Sequence, residues 1–225
     1  MVGLTGVASS KKHPILHDGV TAQTWEDLAK LRLGVPPGSA VWYQFVAKLQ
    51  ELGLRYDRFQ VVNIQGSGAN FVQALQRRDV EGYINAEPTD SMPEAQGFGH
   101  ADTALDYSDT RAVGPELGLI TVAKSALAGK REAMRLFLWA YLTKQQALAA
   151  DQAAYAAAIQ RFCGLDAKIS AAIAGKIRLG GVVDAAQLVR LATFLAATGI
   201  VTKDVSGGIA AYFDPSVVQS VTAQG

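Results

Sequence analysis

The first third of the chain alternates short apolar runs with helix-period segments across very short connections, and this alternation narrows the fold more than any other feature. Arg32-Leu33-Gly34-Val35 reads as a short strand closed by Pro36-Pro37-Gly38. A helix is predicted from Ser39 to Leu52, because Val41, Phe45, Val46, Leu49 and Leu52 recur at helical spacing and Gly53 follows as a cap. Gln60 to Ile64 is the next predicted strand, and Gln65-Gly66-Ser67-Gly68 is its loop. A helix over 69–78 and a strand over Val80 to Ala86 complete the series. Strand, helix, strand, helix, strand with short connections specifies a parallel sheet with right-handed crossovers. The fold class is therefore α/β.

Further on, a short helix is predicted near Ser91 to Gln96, a strand near Thr103, a polar loop over Asp106 to Arg111 and a buried strand over Gly118 to Ala123. From Lys130 the pattern is helical only: Arg131 to Ala150, Gln152 to Phe162, Ala167 to Ala174 and Ala185 to Ala197, with Gly164, Gly175, Gly180 and Gly199 between them. Tyr212-Phe213-Asp214-Pro215 reads as a turn that docks on the body.

Composition removes several classes of function. With 225 residues, 49% of them hydrophobic, the chain is long and apolar enough for a real core and too apolar for disorder. A net charge of +1 argues against a nucleic-acid or polyanion binder, and no helix-turn-helix precedes Val2, which disfavours the effector domain of a DNA-binding regulator. No uncharged apolar run is longer than the seven residues of Leu136 to Leu142, far below the ~18–20 residues of a membrane span, and that run is expected to form a buried helix face. Cys163 stands alone, which rules out an internal disulfide and a cysteine-based zinc site. Met1 to Ala8 lacks the basic and apolar regions of a signal peptide and reads as a strand entered abruptly, so the chain is expected to begin inside a domain.

The stretch with the most chemistry is Val35-Pro36-Pro37-Gly38-Ser39-Ala40. It joins a strand directly to a helix, Ser39 can cap that helix, and the first-turn N–H groups and helix dipole suit a carboxylate, sulfonate or phosphate. An ordinary N-cap is the competing interpretation. It is not a P-loop, since no Gly-Lys-Ser/Thr closes it. Gln65-Gly66-Ser67-Gly68 occupies the equivalent end of the next strand; Phe71 stands where a dinucleotide fingerprint has its third glycine, so a tight turn is expected there, with Gln65 free to face a ligand. Asn85-Ala86-Glu87-Pro88 ends the third strand on the same edge, where Glu87 could accept from an amine, amide or ring N–H or could be a solvated loop acid. Of Trp42 and Tyr43, one is expected to stack on a planar ligand and the other to pack in the core. His13 and His17 are four apart, but Pro14 between them argues against a helical metal pair, and His100, after Gly97-Phe98-Gly99, shows no recognisable carboxylate–histidine pairing. No motif assembles a nucleophile, a base and an oxyanion hole, so no metal, no cofactor and no catalytic residue is expected.

Thr24-Trp25-Glu26-Asp27-Leu28-Ala29-Lys30-Leu31-Arg32-Leu33-Gly34-Val35 resembles the entry into the second lobe of a periplasmic solute-binding protein. The group it resembles serves ABC importers of nitrate, sulfonate, taurine and thiamine-pyrimidine precursors. Pro37-Gly38-Ser39-Ala40, Gly53-Leu54, Val61 to Ile64, Ala74-Leu75 with Asp79-Val80-Glu81-Gly82, Ala86-Glu87-Pro88 and Tyr212-Phe213-Asp214 are similar to the same pattern, in order, from Val2 to Val218. Each motif is soft, and their order and spacing carry the resemblance.

The resemblance implies a two-lobed, type II-like fold of α/β lobes with crossing strands, a helical C-terminal part and closure on a ligand by hinge motion. Residues 31–111 would form the second lobe, and residues 1–30 with 112–225 an incomplete first lobe, with sheet edges unpaired and apolar surface exposed. It implies ligand contacts at Gly38, Ser39, Ala40, Tyr43, Gln65, Asn85 and Glu87. It further implies a small anionic or heteroaromatic ligand, a membrane permease as partner, a monomer, and a periplasmic location. The alternative is a thiamine-pyrimidine biosynthesis enzyme on the same fold, which needs a lysine for pyridoxal phosphate and a nearby histidine. Lys11, Lys12 and His13 offer those residue types without a recognisable motif.

Overall fold

A computed structural model of the chain describes residues 2–115, 118–180 and 185–222. Met1, at the head of the expected opening strand, lies outside the described residues. The opening segments are β1 (Val2–Gly6), β2 (Ala8–Ser10) and β3 (Ile15–His17), then α1 (Trp25–Ala29). The alternating region follows: β4 (Leu33–Val35), α2 (Ala40–Glu51), β5 (Val61–Asn63), α3 (Gly68–Gln76), β6 (Gly82–Tyr83), α4 (Met92–Gln96) and β7 (Gly99–Ala101). The remainder is β8 (Leu119–Val122), α5 (Lys124–Gly129), α6 (Arg131–Ala150), α7 (Gln152–Cys163), α8 (Ala167–Lys176), β9 (Ile177–Leu179), α9 (Ala185–Ala197) and α10 (Ser216–Thr222).

The chain divides into two units, one of residues 11–110 and 156–176 and the other of residues 2–10, 111–155 and 177–222 among those described. This differs from the sequence-based division, which gave 1–30 to the first lobe. The reason is Ile15–His17, whose three residues are all buried and whose backbone pairs with β6 on one side and β7 on the other. A strand hydrogen-bonded on both edges belongs to the sheet that holds it. α8 joins the same unit, where Lys168 Nζ donates to the Ala95 carbonyl at 3.0 Å.

In the first of these units a five-stranded sheet has the order β5-β4-β6-β3-β7. β4 is parallel to both β5 and β6, as the alternation predicts, but β3 is antiparallel to both its neighbours, so the sheet is mixed. Its ladder is short: the expected strand over Val80 to Ala86 is reduced to Gly82–Tyr83, although Ile84 N still donates to the Gly34 carbonyl. The strand expected near Thr103 lies earlier, at Gly99–Ala101, because Gly97 in the left-handed region ends α4 and turns the chain onto β3. Phe45 on α2 is fully buried and meets Phe59, Tyr107, Trp25 and Tyr56 at ring-centroid separations of 5.5–6.5 Å. Around it Leu16, Leu28, Leu33, Val35, Leu49 and Ile84 close one side of the sheet, while Phe71, Leu75, Val80 and Tyr83 form a second cluster with Ile15.

The other unit has two antiparallel ribbons of two strands each, β1 with β8 and β2 with β9. Leu4, Leu127, Leu138, Val217 and Val221 form its core cluster. The tail docks as expected: Phe213 bridges to Gly3, and Asp214 N donates to the Gly3 carbonyl at 3.1 Å. Two expectations fail here. β8 alternates exposed and half-buried residues and is not a buried strand. The run Leu136 to Leu142 is not a buried face either, since Leu136, Phe137 and Trp139 are about half exposed and only Leu138 is sealed. A continuous apolar run must wrap a helix of 3.6 residues per turn, so one packed side leaves its neighbours outside. Among the described residues, no helix is long and apolar enough to cross a membrane.

Candidate functional site

Three strand ends of the sheet unit converge, because Ile64 N donates to the Val35 carbonyl and Ile84 N to that of Gly34. The loops that follow β4, β5 and β6 therefore leave the same edge, where open parallel sheets hold ligands. After β4, Gly38 takes φ +82°, and Ser39 is the extended N-cap of α2. Ser39 Oγ accepts from Trp42 N at 3.2 Å, which satisfies one of the first-turn donors. The N–H groups of Ala40 and Val41 precede any possible intrahelical partner, and no acidic residue occupies the first turn. Gly38 and Ala40 are exposed and Ser39 is half-buried. The result is an accessible helix N-terminus with uncommitted donors, to which the dipole adds partial positive charge.

Trp42 takes the core-packing role expected for one of the two neighbouring rings, and donates from its indole N–H to Tyr56 Oη at 3.1 Å. Tyr43 is half-buried and stands edge-on to Trp42 with ring centroids 5.6 Å apart. After β5, Gln65 is exposed, and its carbonyl accepts from Asn70 Nδ2 at 2.6 Å, which ties the loop to α3.

The third loop is built differently from its expected form. Asn85 Oδ1 accepts from Ala86 N at 2.9 Å and the Asn85 carbonyl accepts from Tyr107 Oη at 3.0 Å, so this residue is fixed and half-buried. Glu87 precedes a cis peptide bond to Pro88. Its side chain is 4% exposed, accepts from Ser91 N and Ser91 Oγ, and lies 3.6 Å from Lys176 Nζ. Lys176 also donates to Ser91 Oγ at 3.0 Å and faces Glu94. Glu87 is thus neither a solvated acid nor an open acceptor. Its charge and lone pairs are matched inside the unit, through a lysine whose pairing no local pattern announces.

Deeper still, Asp90 is buried, and its Oδ1 has no hydrogen-bond partner among the described residues. Burial, and then the Glu87 carboxylate, push its carboxyl well above the usual range, against Lys176 and Lys12 pulling the other way. Lys12 is 1% exposed beside it, whereas Lys11 is committed to Asp106 at 2.6 Å. His13 is held below the ordinary imidazole range by burial. Lys12 is thus sealed, and Lys11, though exposed, is held in an ion pair with Asp106, so these residues do not form a site that fits pyridoxal phosphate. His17 contacts the Asp18 carbonyl at 2.8 Å, and His100 lies 3.5 Å from Asp18 Oδ1, the carboxylate partner that sequence did not reveal. No cluster of metal-ligating side chains occurs among the described residues. A groove of about 300 Å³ beside Val46, Leu49, Gln50 and Tyr56 belongs to the other end of α2.

Comparison with known proteins places the fold. No family model matches the chain, and no curated protein matches its sequence. Solved structures do match. The periplasmic sulfonate-binding protein SsuA of Methylobacillus flagellatus KT superposes with a TM-score of 0.75 at 15% identity, over 99% of this chain and 69% of that one. The alkanesulfonate-binding protein SsuA of Xanthomonas axonopodis pv. citri, bound to MOPS, gives 0.76 at 14% identity, over 95% of this chain and 73% of that one. A desulfurization enzyme, DszB, gives 0.71 at 15% identity, over 99% of this chain and 79% of that one. The fold is that of the periplasmic binding proteins, and both binding proteins and an enzyme share it.

Proposed function

We propose that the chain is the substrate-binding component of an ABC-type importer and captures a small anion of the sulfonate class. The observation that carries this is the exposed N-terminus of α2 at the strand-end edge, with the Ala40 and Val41 amides uncommitted and no acidic side chain in the first turn. Gly38, Ser39 and Ala40 would cradle the anion, and Tyr43 would cover the organic part. Gln65 and Asn85 would border it. Glu87 takes a supporting role, holding the third loop through Ser91 and Lys176. Two of the similar structures are sulfonate-binding proteins, and one holds MOPS, itself a sulfonate. A membrane permease as partner, a monomeric state and a periplasmic location belong to the same proposal.

An enzyme on this fold is the weaker alternative. DszB supports it by likeness, but the single thiol, Cys163, ends α7, far in sequence from the strand-end loops, and is exposed. A thermal-shift panel of alkanesulfonates, nitrate, bicarbonate and pyrimidines tests the proposal. Alkanesulfonates are expected to raise the melting temperature in a saturable way. A shift with pyrimidines alone would assign the site to heteroaromatic ligands, and no shift with any of them would remove the binding function.

A further inference from the structure

The loops that open α2 and α3 share one plan. Each has a glycine in the left-handed region, Gly38 at φ +82° and Gly66 at φ +94°. Each continues with a serine as extended N-cap, at φ −88°, ψ 162° for Ser39 and φ −79°, ψ 163° for Ser67. A small residue then starts the helix, and neither first turn contains an acidic side chain.

The two differ in how their hydroxyls are used. Ser39 caps Trp42, whereas Ser67 makes no cap bond and is exposed. Beside Ser67 stands a second hydroxyl. Thr89 is 5% exposed, and its backbone is fixed at both ends: its N–H donates to the Ala86 carbonyl and its carbonyl accepts from Tyr83 Oη at 2.7 Å. That places Thr89 Oγ1 against the first residue of α3, 2.2 Å from where a side-chain carbon on Gly68 would stand. Only glycine leaves this space. Thr89 Oγ1 makes no hydrogen bond among the described residues and is not sealed from solvent, which leaves it open to a ligand atom.

We propose that the N-terminus of α3 is a second oxyanion subsite, in which the Gly68 and Ala69 amides and the Ser67 and Thr89 hydroxyls hold a sulfate-, sulfonate- or phosphate-type group. It rests on the assignment of the first anion to α2. Because β4 and β5 are parallel neighbours, the two helix starts leave the same edge of the sheet, α2 packing with the Phe45 cluster and α3 with the Phe71 cluster. The ligand class is then a molecule with an anionic group at each end. The local charge permits this. Glu87 is matched by Lys176, and burial together with Glu87 favours the neutral form of the Asp90 carboxyl next to Thr89.

The test is a titration of the full-length chain with sodium sulfate at constant ionic strength, followed by amide chemical shifts. Ala40 and Val41 report on the α2 site, and Gly68 and Ala69 report separately on α3. Both pairs are expected to move along saturable curves. Thr89→Val should weaken the Gly68 and Ala69 response about tenfold or more while leaving Ala40 and Val41 unchanged, because a hydrogen bond to a charged group is lost. Thr89→Ser keeps the hydroxyl and should keep the response, which separates chemistry from misfolding. A linear drift at Gly68 and Ala69, or an unaltered response in Thr89→Val, overturns the second subsite alone. No response at Ala40 and Val41 while Gly68 saturates overturns the α2 assignment alone. Silence at both pairs overturns both.

Discussion

Phe45→Ala is expected to destabilise the sheet unit by about 3–5 kcal/mol, the range for emptying a large aromatic site in a packed core. Phe45 has no exposed surface and meets four other aromatic rings, three of them edge-on, so truncation removes both apolar burial and ring contacts. The cavity would lie under the α2 face that carries Trp42 on one side and Leu49 on the other. Chemical denaturation read by tryptophan fluorescence checks it, since Trp25 and Trp42 both border the site. A loss below about 1 kcal/mol, the usual cost of a surface change, would mean that α2 is not anchored through this residue.

Glu87→Ala is the second large effect, at about 2–4 kcal/mol, because removing one partner of a buried ion pair strands the other groups. Ser91 would lose the acceptor for its backbone N–H and its hydroxyl, and Lys176 would keep only Ser91 and the exposed Glu94. Lys176 is about one-third exposed, so its side of the loss is screened and the larger part falls on the Ser91 cap. Denaturation measures the stability, and a sulfate titration of the same variant measures binding. Lowered stability with unchanged affinity at Ala40 and Val41 assigns Glu87 to support. Unchanged stability with lost affinity would make it a ligand contact after all.

How far the sequence reached depends on the range of the interaction concerned. α6 and α9 appear with the predicted boundaries, since Ala- and Leu-rich periodicity and flanking glycines act within a few residues. The parallel order of β4, β5 and β6 followed from short connections, which leave little choice of topology. The antiparallel insertion of β3 did not. Ile15-Leu16-His17 is buried on both faces, so it shows no alternation, and its partners lie far along the chain. The same limit hid Lys176 from Glu87 and Asp18 from His100. The exposed aromatic side of α6 failed for another reason. A run of apolar residues records composition, while the side that packs is fixed by the neighbouring ribbon and α10. In the candidate site, the α2 loop was legible because its donors are local. The likeness of Gly66-Ser67-Gly68 to Gly38-Ser39-Ala40 was also present in the sequence, but Thr89 enters that loop only through the fold.

The most direct test compares the intact chain with its Ala40→Glu variant by calorimetric titration with an aliphatic sulfonate. A carboxylate in the first turn of α2 favours the helix by about 0.3–1 kcal/mol while placing negative charge where the anion would sit. The account predicts saturable 1:1 binding to the unaltered chain, and loss of that binding in a variant whose melting temperature is not lower. Equal affinity in the two proteins, or no saturable heat with the unaltered chain, would contradict an anion site at the N-terminus of α2.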